Sequence, residues 1–161
     1  MDQKTLRELL DYDPNTGVFL WKISRSNRVK VGDVAGRTNN TGYKDISIDS
    51  RRYLQHRLAW LYETGAWPVA EIDHINGQKG DNRLANLREA TRSENLYNRK
   101  KPPRNTSGLK GVCWRADRKK WFAQLRVNGN QINIGCYDTR EEAYSAYLTV
   151  ANQYHREFAN F

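Results

Sequence analysis

Apolar positions along this chain follow two spacings, and the switches between them mark out its elements. Leu6, Leu9 and Leu10 recur at helical intervals, which predicts a short helix over Thr5 to Leu10. Asp13-Pro14-Asn15-Thr16-Gly17 then reads as a turn: Pro14 presets φ, Asp13 and Asn15 can bond their own backbone, and Gly17 tolerates positive φ. Gly17 to Trp21 reads as a strand, and the polar run Ser24 to Arg28 as an exposed loop. Tyr43 to Ile48 is a second strand. Asp49-Ser50 breaks it, and Arg52 to Gln55 returns as the other arm of a hairpin. From Leu54 the spacing becomes helical again through Leu58, Leu61 and Tyr62, and Gly65 stops it.

Pro68 to His74 carries the chain into a short strand, followed by a polar loop over Asn76 to Asn82 and a return strand at Asn86 to Glu89. Thr91-Arg92-Ser93-Glu94 is a capping box, so a helix is predicted from Arg92 to about Lys100, ended by Pro102-Pro103. Lys101 to Gly108 has the composition of a linker. Beyond it, Leu109 to Arg115, Trp121 to Val127 and Gln131 to Tyr137 read as three strands, with a hairpin turn at Asn128-Gly129. A second capping box, Thr139 to Glu142, opens a helix to about His155 whose inner face is Ala143, Ala146, Tyr147, Val150, Ala151 and Tyr154. The expected fold class is α+β: a mixed N-terminal region ending in a strand-loop-strand-helix unit, then a linker, then a three-stranded antiparallel sheet packed on one helix. The expected domains are 1–100, with that unit at about 70–100, then linker 101–108 and a second domain at 109–161.

Charge changes this picture by its placement. The chain carries a net +9, and residues 99–126 alone hold ten Lys/Arg against one acid, Asp117. The excess is one patch, as expected of a surface that binds a polyanion, although a solvated linker could produce the same composition. Nothing approaches a membrane span or a secretory signal, so a cytoplasmic protein is expected. The two cysteines, Cys113 and Cys136, cannot form a four-cysteine zinc site, and they are expected to be small reduced core residues rather than a disulfide.

The candidate chemistry lies at Asp73-His74. Asn86 follows the histidine by twelve residues and Asn95 by twenty-one. Hydrolysis of a phosphodiester requires a base for water, which neutral imidazole provides near neutral pH. It also requires stabilisation of charge on the phosphate and the leaving oxygen, which a hard divalent cation provides. Such a cation takes oxygen ligands. Each residue singly has an ordinary explanation, as a surface hydrogen bond, a turn or a helix surface; their joint spacing in a strand-strand-helix context does not. His56, at the start of the helix from Leu54, is open between a phosphate contact, support for this site, and simple packing or capping. Asn82 and Asn98 are weaker candidates.

Residues 71–98, EIDHINGQKGDNRLANLREATRSENLYN, resemble the HNH (His-Asn-His, ββα-metal) nuclease motif, and most of all the phage and intron-encoded homing endonucleases in which the last His is Asn. Gln55 to Trp60 and Tyr12 to Gly17 resemble the same proteins. The resemblance implies His74 as general base, Asp73 and Asn95 holding one Mg²⁺ or Mn²⁺, and Asn86 bracing the loop. No CxxC pairs occur, so structural zinc is not expected.

Residues 107–161 resemble the APETALA-type (ethylene-response-factor) DNA-binding domain. The resemblance is carried by Lys110-Gly111-Val112, Trp114-Arg115, Lys120-Trp121, Ile134 to Tyr137 with Thr139, Glu142-Ala143-Ala146-Tyr147 and the terminal Phe158 to Phe161. It implies a sheet entering the major groove, with Lys110, Arg115, Lys120, Gln124 and Arg126 as contacts and Trp114 packing on the sugar-phosphate edge. Trp121 is expected in the core, and Arg118 and Lys119 in a turn meeting phosphates. The function expected is a metal-dependent, site-directed DNA endonuclease of phage homing type acting on double-stranded DNA. The sequence leaves open whether it nicks or cuts both strands, and whether it is a monomer or homodimer. The rival is a DNA-binding regulator whose nuclease unit is inactive; an RNA-binding protein has weaker support, because no RNA-module aromatic motif is present.

Overall fold

The computed structural model describes residues 1–98 and 105–155. These fall into two compact units, Met1–Ala90 and Thr91–Phe161.

In the first unit, Asp2 caps α1 (Gln3–Leu9) by accepting the Thr5 N–H at 2.8 Å. The helix ends a residue earlier than its leucine spacing predicts. Leu10 instead opens β1 (Leu10–Asp13), where Leu10 and Tyr12 point inward and their neighbours outward. Three leucines satisfied a helical pattern, yet one of them belongs to a period of two. β1 pairs antiparallel with β2 (Val18–Trp21), Tyr12 opposite Phe19. The turn between them is built as expected: Asp13 Oδ1 accepts from Asn15 N at 2.9 Å, and Gly17 sits at φ 70°.

A small sheet follows in the order β3 (Arg37–Thr38), β4 (Lys44–Ile48), β5 (Arg51–Leu54). Asp49 and Ser50, at φ 48° and 64°, make the two-residue hairpin turn whose twist matches the strands. α2 (Gln55–Thr64) starts directly from β5, buries Leu58, Ala59 and Leu61, and ends at Gly65 with φ 82°. β6 (Glu71–His74) pairs antiparallel with β7 (Leu87–Ala90), a single 3-10 turn at Leu84–Asn86 preceding the return strand. The core of the unit gathers Leu6, Leu10, Phe19, Ile46, Ile48, Leu58 and Leu61, with the Phe19 ring 4.6 Å from that of Tyr12.

The second unit opens with α3 (Arg92–Tyr97), whose capping box is complete: Thr91 Oγ1 accepts from Glu94 N at 3.3 Å, and a Glu94 carboxylate oxygen accepts from Thr91 N at 2.7 Å. The expected last residues of this helix, and Lys101 to Arg104 of the expected linker, lie outside the described residues. Asn105 to Gly108 form a tight turn in which buried Ser107 donates to Val112 O at 2.6 Å. The sheet runs β8 (Val112–Arg115), β9 (Lys120–Val127) and β10 (Asn130–Tyr137), β9 central and all antiparallel. β8 begins later than its apolar run suggests, because Gly111 at φ 74° brings the backbone against the Tyr147 ring. α4 (Arg140–His155) packs Ala143, Tyr147 and Ala151 on Val112, Ala123 and Leu125. Tyr154, expected on that inner face, is 52% exposed, because the buried face ends with Ala151.

Two substitutions test this packing. Phe19→Ala should lower unfolding free energy by about 3–5 kcal/mol through the cavity it leaves. Gly17→Ala should cost about 2 kcal/mol or more, since a Cβ there would stand 2.5 Å from the Arg83 nitrogen at an already left-handed φ. Both are read from urea or thermal melts; a Gly17→Ala protein as stable as wild type would refute the close approach.

Candidate active site

β6 stops at His74 because the chain turns there: Gly77 N donates to His74 O at 2.8 Å, and Ile75 N to Asn86 O at 2.9 Å. Asp73 and His74 are each only 4% exposed. Adjacent strand residues point to opposite faces, so the two side chains meet different surroundings.

Asp73 faces its cross-strand neighbour Arg88, whose Nε and Nη2 reach Oδ2 at 3.0 and 2.9 Å. A carboxylate withdrawn from water needs such a compensating charge. Arg88 is absent from the sequence-based candidates. Its signal was its place in Asn86-Leu87-Arg88: once Leu87 pairs with His74, Arg88 must pair with Asp73.

His74 packs against Asn82, His56 and Tyr43. Its Nε2 lies 3.1 Å from Asn82 Oδ1, and Asn82 Nδ2 donates to Gln55 Oε1 at 3.1 Å. The His56 ring stands edge-on at 5.0 Å, and the Tyr43 ring lies 5.8 Å away. Burial pushes the His74 imidazole below its ordinary pKa, while the bond to Asn82 and the charges of Asp73 and Asp81 pull it partly back. His56 is held lower, at about 3, by burial first and by the positive charge of His74 and Arg57 second. Its Nδ1 is buried without a hydrogen-bond partner. The sequence left His56 open between three roles; its position against His74 favours packing and support over a direct phosphate contact.

Asn86 stitches the intervening loop at both ends. Its Oδ1 accepts from Asn76 N at 3.0 Å, and its Nδ2 donates to Asp81 O at 2.8 Å. Asp81 in turn binds Asn76 Nδ2 at 2.7 Å and the Arg83 guanidinium, which holds its carboxyl well below the usual range. Asn82, a secondary candidate from sequence, is 1% exposed and joins three elements, since its backbone carbonyl also accepts from Tyr12 Oη at 2.7 Å. Asn95 lies in α3 of the second unit, half-buried, with its N–H on Thr91 O at 2.9 Å. Asn98, at the end of that helix, is buried.

Among the described residues no group of three His, Cys, Asp or Glu is placed to hold a metal ion. A hard divalent cation needs fewer protein donors where phosphate and water complete its shell. The Asp73 carboxylate and Asn95 carboxamide are oxygen donors of the kind it takes, and a cation on Asp73 would share that carboxylate with Arg88.

The second unit offers a different surface. Register puts Arg115, Lys120, Phe122, Gln124 and Arg126 on the sheet face turned away from the Ala123 and Leu125 core, with Cys113 and Cys136 opposite Phe122. Both cysteines are free, but neither is a core residue: Cys113 is half-buried and Cys136 exposed. Arg115 is paired with Asp117 at 3.0 Å and Lys120 with Asp138 at 2.5 Å. Trp114 is not on this face. It lies on the helix side beside Trp121, ring centroids 5.3 Å apart, and is 48% exposed at the sheet edge. Lys110 is half-buried before β8, and burial brings its ammonium down to about 8. Arg118 and Lys119 occupy the β8–β9 turn, Lys119 at φ 50°.

Part of this sequence matches a recognised class of proteins. The HNH endonuclease family model matches residues 53–97, from the end of β5 through α3. Over 120 residues, 74% of this chain and 96% of the relative, the sequence is 37% identical to Protein 3.8 of Escherichia phage T7. The chain therefore belongs to the family of that phage protein and carries an HNH endonuclease domain. No solved structure matches it. Among the described residues no helix is long and apolar enough to cross a membrane.

The buried histidines give the first unit a pH dependence. The folded state resists protonating His56 down to about 3, whereas an unfolded imidazole titrates near 6.5. The unfolded chain thus binds more protons between these values, and stability present above 6.5 is lost as pH falls. The urea midpoint should drop between pH 7 and pH 5, and drop less in His56→Phe. Equal slopes for the two proteins would exclude His56 as a source.

Proposed function

We propose that this protein is a metal-dependent DNA endonuclease that hydrolyses one phosphodiester per encounter, with His74 as general base. The observation that carries this reading is His74 itself: a buried imidazole kept neutral by desolvation, at the end of a strand, beside a carboxylate, inside the HNH-matched segment. A neutral imidazole can take a proton from water as the oxygen attacks phosphorus. Asp73 and Asn95 would hold one Mg²⁺ or Mn²⁺, which when bound supplies charge stabilisation to the phosphate and the departing oxygen. Arg88 balances the Asp73 carboxylate, and Asn86 keeps the loop after His74 closed on itself. A single site per chain acts on one strand, so nicking is the elementary event, and a double-strand break takes two copies or two encounters.

The second unit, on this reading, presents DNA to the first as an APETALA-like module. Its contact face is Arg115, Lys120, Gln124 and Arg126, which share one side of the sheet. Arg can bind guanine through two hydrogen bonds in the major groove. The acids beside Arg115 and Lys120 are exposed, and exposed ion pairs contribute little. Exchanging them for phosphate is therefore inexpensive. Trp114, on the other side, is left to an edge contact with the sugar-phosphate backbone.

Supercoiled plasmid incubated with the protein and Mg²⁺ or Mn²⁺ should become nicked, and chelation should stop it. His74→Ala should lower the rate by about 10²-fold or more while DNA affinity stays near wild type. Tight binding with no nicking under any divalent cation would instead favour a regulator with an inactive nuclease unit. The rate should rise with pH to a midpoint below the ordinary imidazole value of 6.5, because the base works as its neutral form and burial lowers its pKa. Binding should weaken with salt at a log-log slope near about −5, as for some six phosphate contacts; a slope near zero would remove the basic patch from the interface.

A further inference from the structure

A backbone carbonyl can only accept a hydrogen bond, and that polarity passes through the first unit to His74. Gln55 Nε2 donates to Ala35 O at 2.7 Å. This obliges Gln55 to turn its Oε1 the other way, where it accepts from Asn82 Nδ2 at 3.1 Å. Asn82 must then present Oδ1 to His74 Nε2, at 3.1 Å. Facing an acceptor, Nε2 must carry hydrogen. A neutral imidazole protonated there has its basic lone pair on Nδ1.

The chain of amides is shielded from water: Gln55 is 3% exposed and Asn82 1%. Turning either amide over would set oxygen against oxygen or N–H against N–H where no solvent can relieve it. The backbone is shaped for the contact. Gly36, at φ 98°, has no Cβ, and one built there would stand 2.4 Å from Gln55 Nε2 and 2.6 Å from Asp45 O.

We infer that the Ala35 carbonyl, Gln55 and Asn82 form a relay that fixes His74 in the Nε2–H tautomer, with Gln55 and Asn82 as positioning residues for the nuclease reaction. The inference takes from the proposed function that His74 is the base. The proton leaving water arrives on Nδ1, and the imidazolium so formed keeps its Nε2–H on Asn82 Oδ1. No second proton transfer is needed, and Asn82 does not change charge.

The test is long-range ¹H–¹⁵N correlation spectroscopy on the full-length protein labelled at histidine, above the pH where His74 titrates, with His74→Gln assigning the signal among the three histidines. Wild-type His74 should show a protonated-type Nε2 and a pyridine-type Nδ1. Gln55→Leu removes the acceptor that orients Asn82, so the His74 signals should shift toward a tautomer mixture. The kcat for plasmid nicking should fall by about tenfold or more, since a wrong tautomer disables a base, with KM within about twofold. Gln55→Glu keeps an oxygen toward Asn82 in either protonation state and should retain the wild-type tautomer. A wild-type Nδ1–H signal overturns the relay, and so do unchanged signals in Gln55→Leu. If Gln55→Leu fails to fold, loss of the Nε2–H signal in Gln55→Glu overturns it, and retention supports it. The spectra need neither DNA nor metal, so an Nε2–H His74 in a protein that does not nick sustains the relay while removing the nuclease reading.

Discussion

A carboxamide sealed from water must be matched atom by atom, and Asn82 imposes that demand on the whole first unit. Its side chain meets His74 and Gln55, and its backbone carbonyl takes the Tyr12 hydroxyl. Each such group left unmatched would cost about 1–3 kcal/mol, a large share of the stability of a small domain. The elements that supply these partners are far apart in sequence: β1, α2 and β6. A polar cluster of this kind tolerates little slack, because a shift that relieves one contact strands another. His56 is the exception. Its unpartnered Nδ1 is tolerated as a neutral ring held between Tyr43 and His74.

Two kinds of ion pair in this chain handle charge in opposite ways. In the first, Asp73 and Arg88 neutralise each other almost out of reach of solvent, so removing one partner leaves a buried charge. In the second, Arg115 and Lys120 meet acids at the surface, where water and salt screen the pairs and a competing anion can replace them. The first arrangement suits groups that must be held in place. The second suits groups that exchange partners.

Much of this was readable in the residues, and the gaps have physical reasons. Turns and caps were plain because single residues carry them: Gly65 at the end of α2, Asp49-Ser50, Asn128-Gly129, and the boxes at Thr91 and Thr139. β1 was hidden because Leu10 fits a helical and an alternating period equally well. Asp73, His74 and Asn86 could be picked out by spacing, but spacing says nothing of what stands across a strand or behind a ring. Arg88 and Gln55 therefore escaped notice as site neighbours: one depends on strand register, the other on a contact spanning 27 residues. The side of the sheet that Trp114 takes likewise needs strand register: paired with Trp121, it lies on the helix side.

The turn at Asp13 to Gly17 lies outside the segment that matches the HNH family, yet it touches that segment's backbone. Pro14 O accepts from Leu84 N at 3.1 Å, and Gly17 has room only for hydrogen beside Asn82 and Arg83. A motif braced in this way is not a cassette. Transplanted by its recognised boundaries into another chain, it would arrive without the hairpin that seats its loop, and the recipient would need to supply an equivalent. The unit that can be moved or inherited intact is thus set by these contacts and reaches back to the first strands.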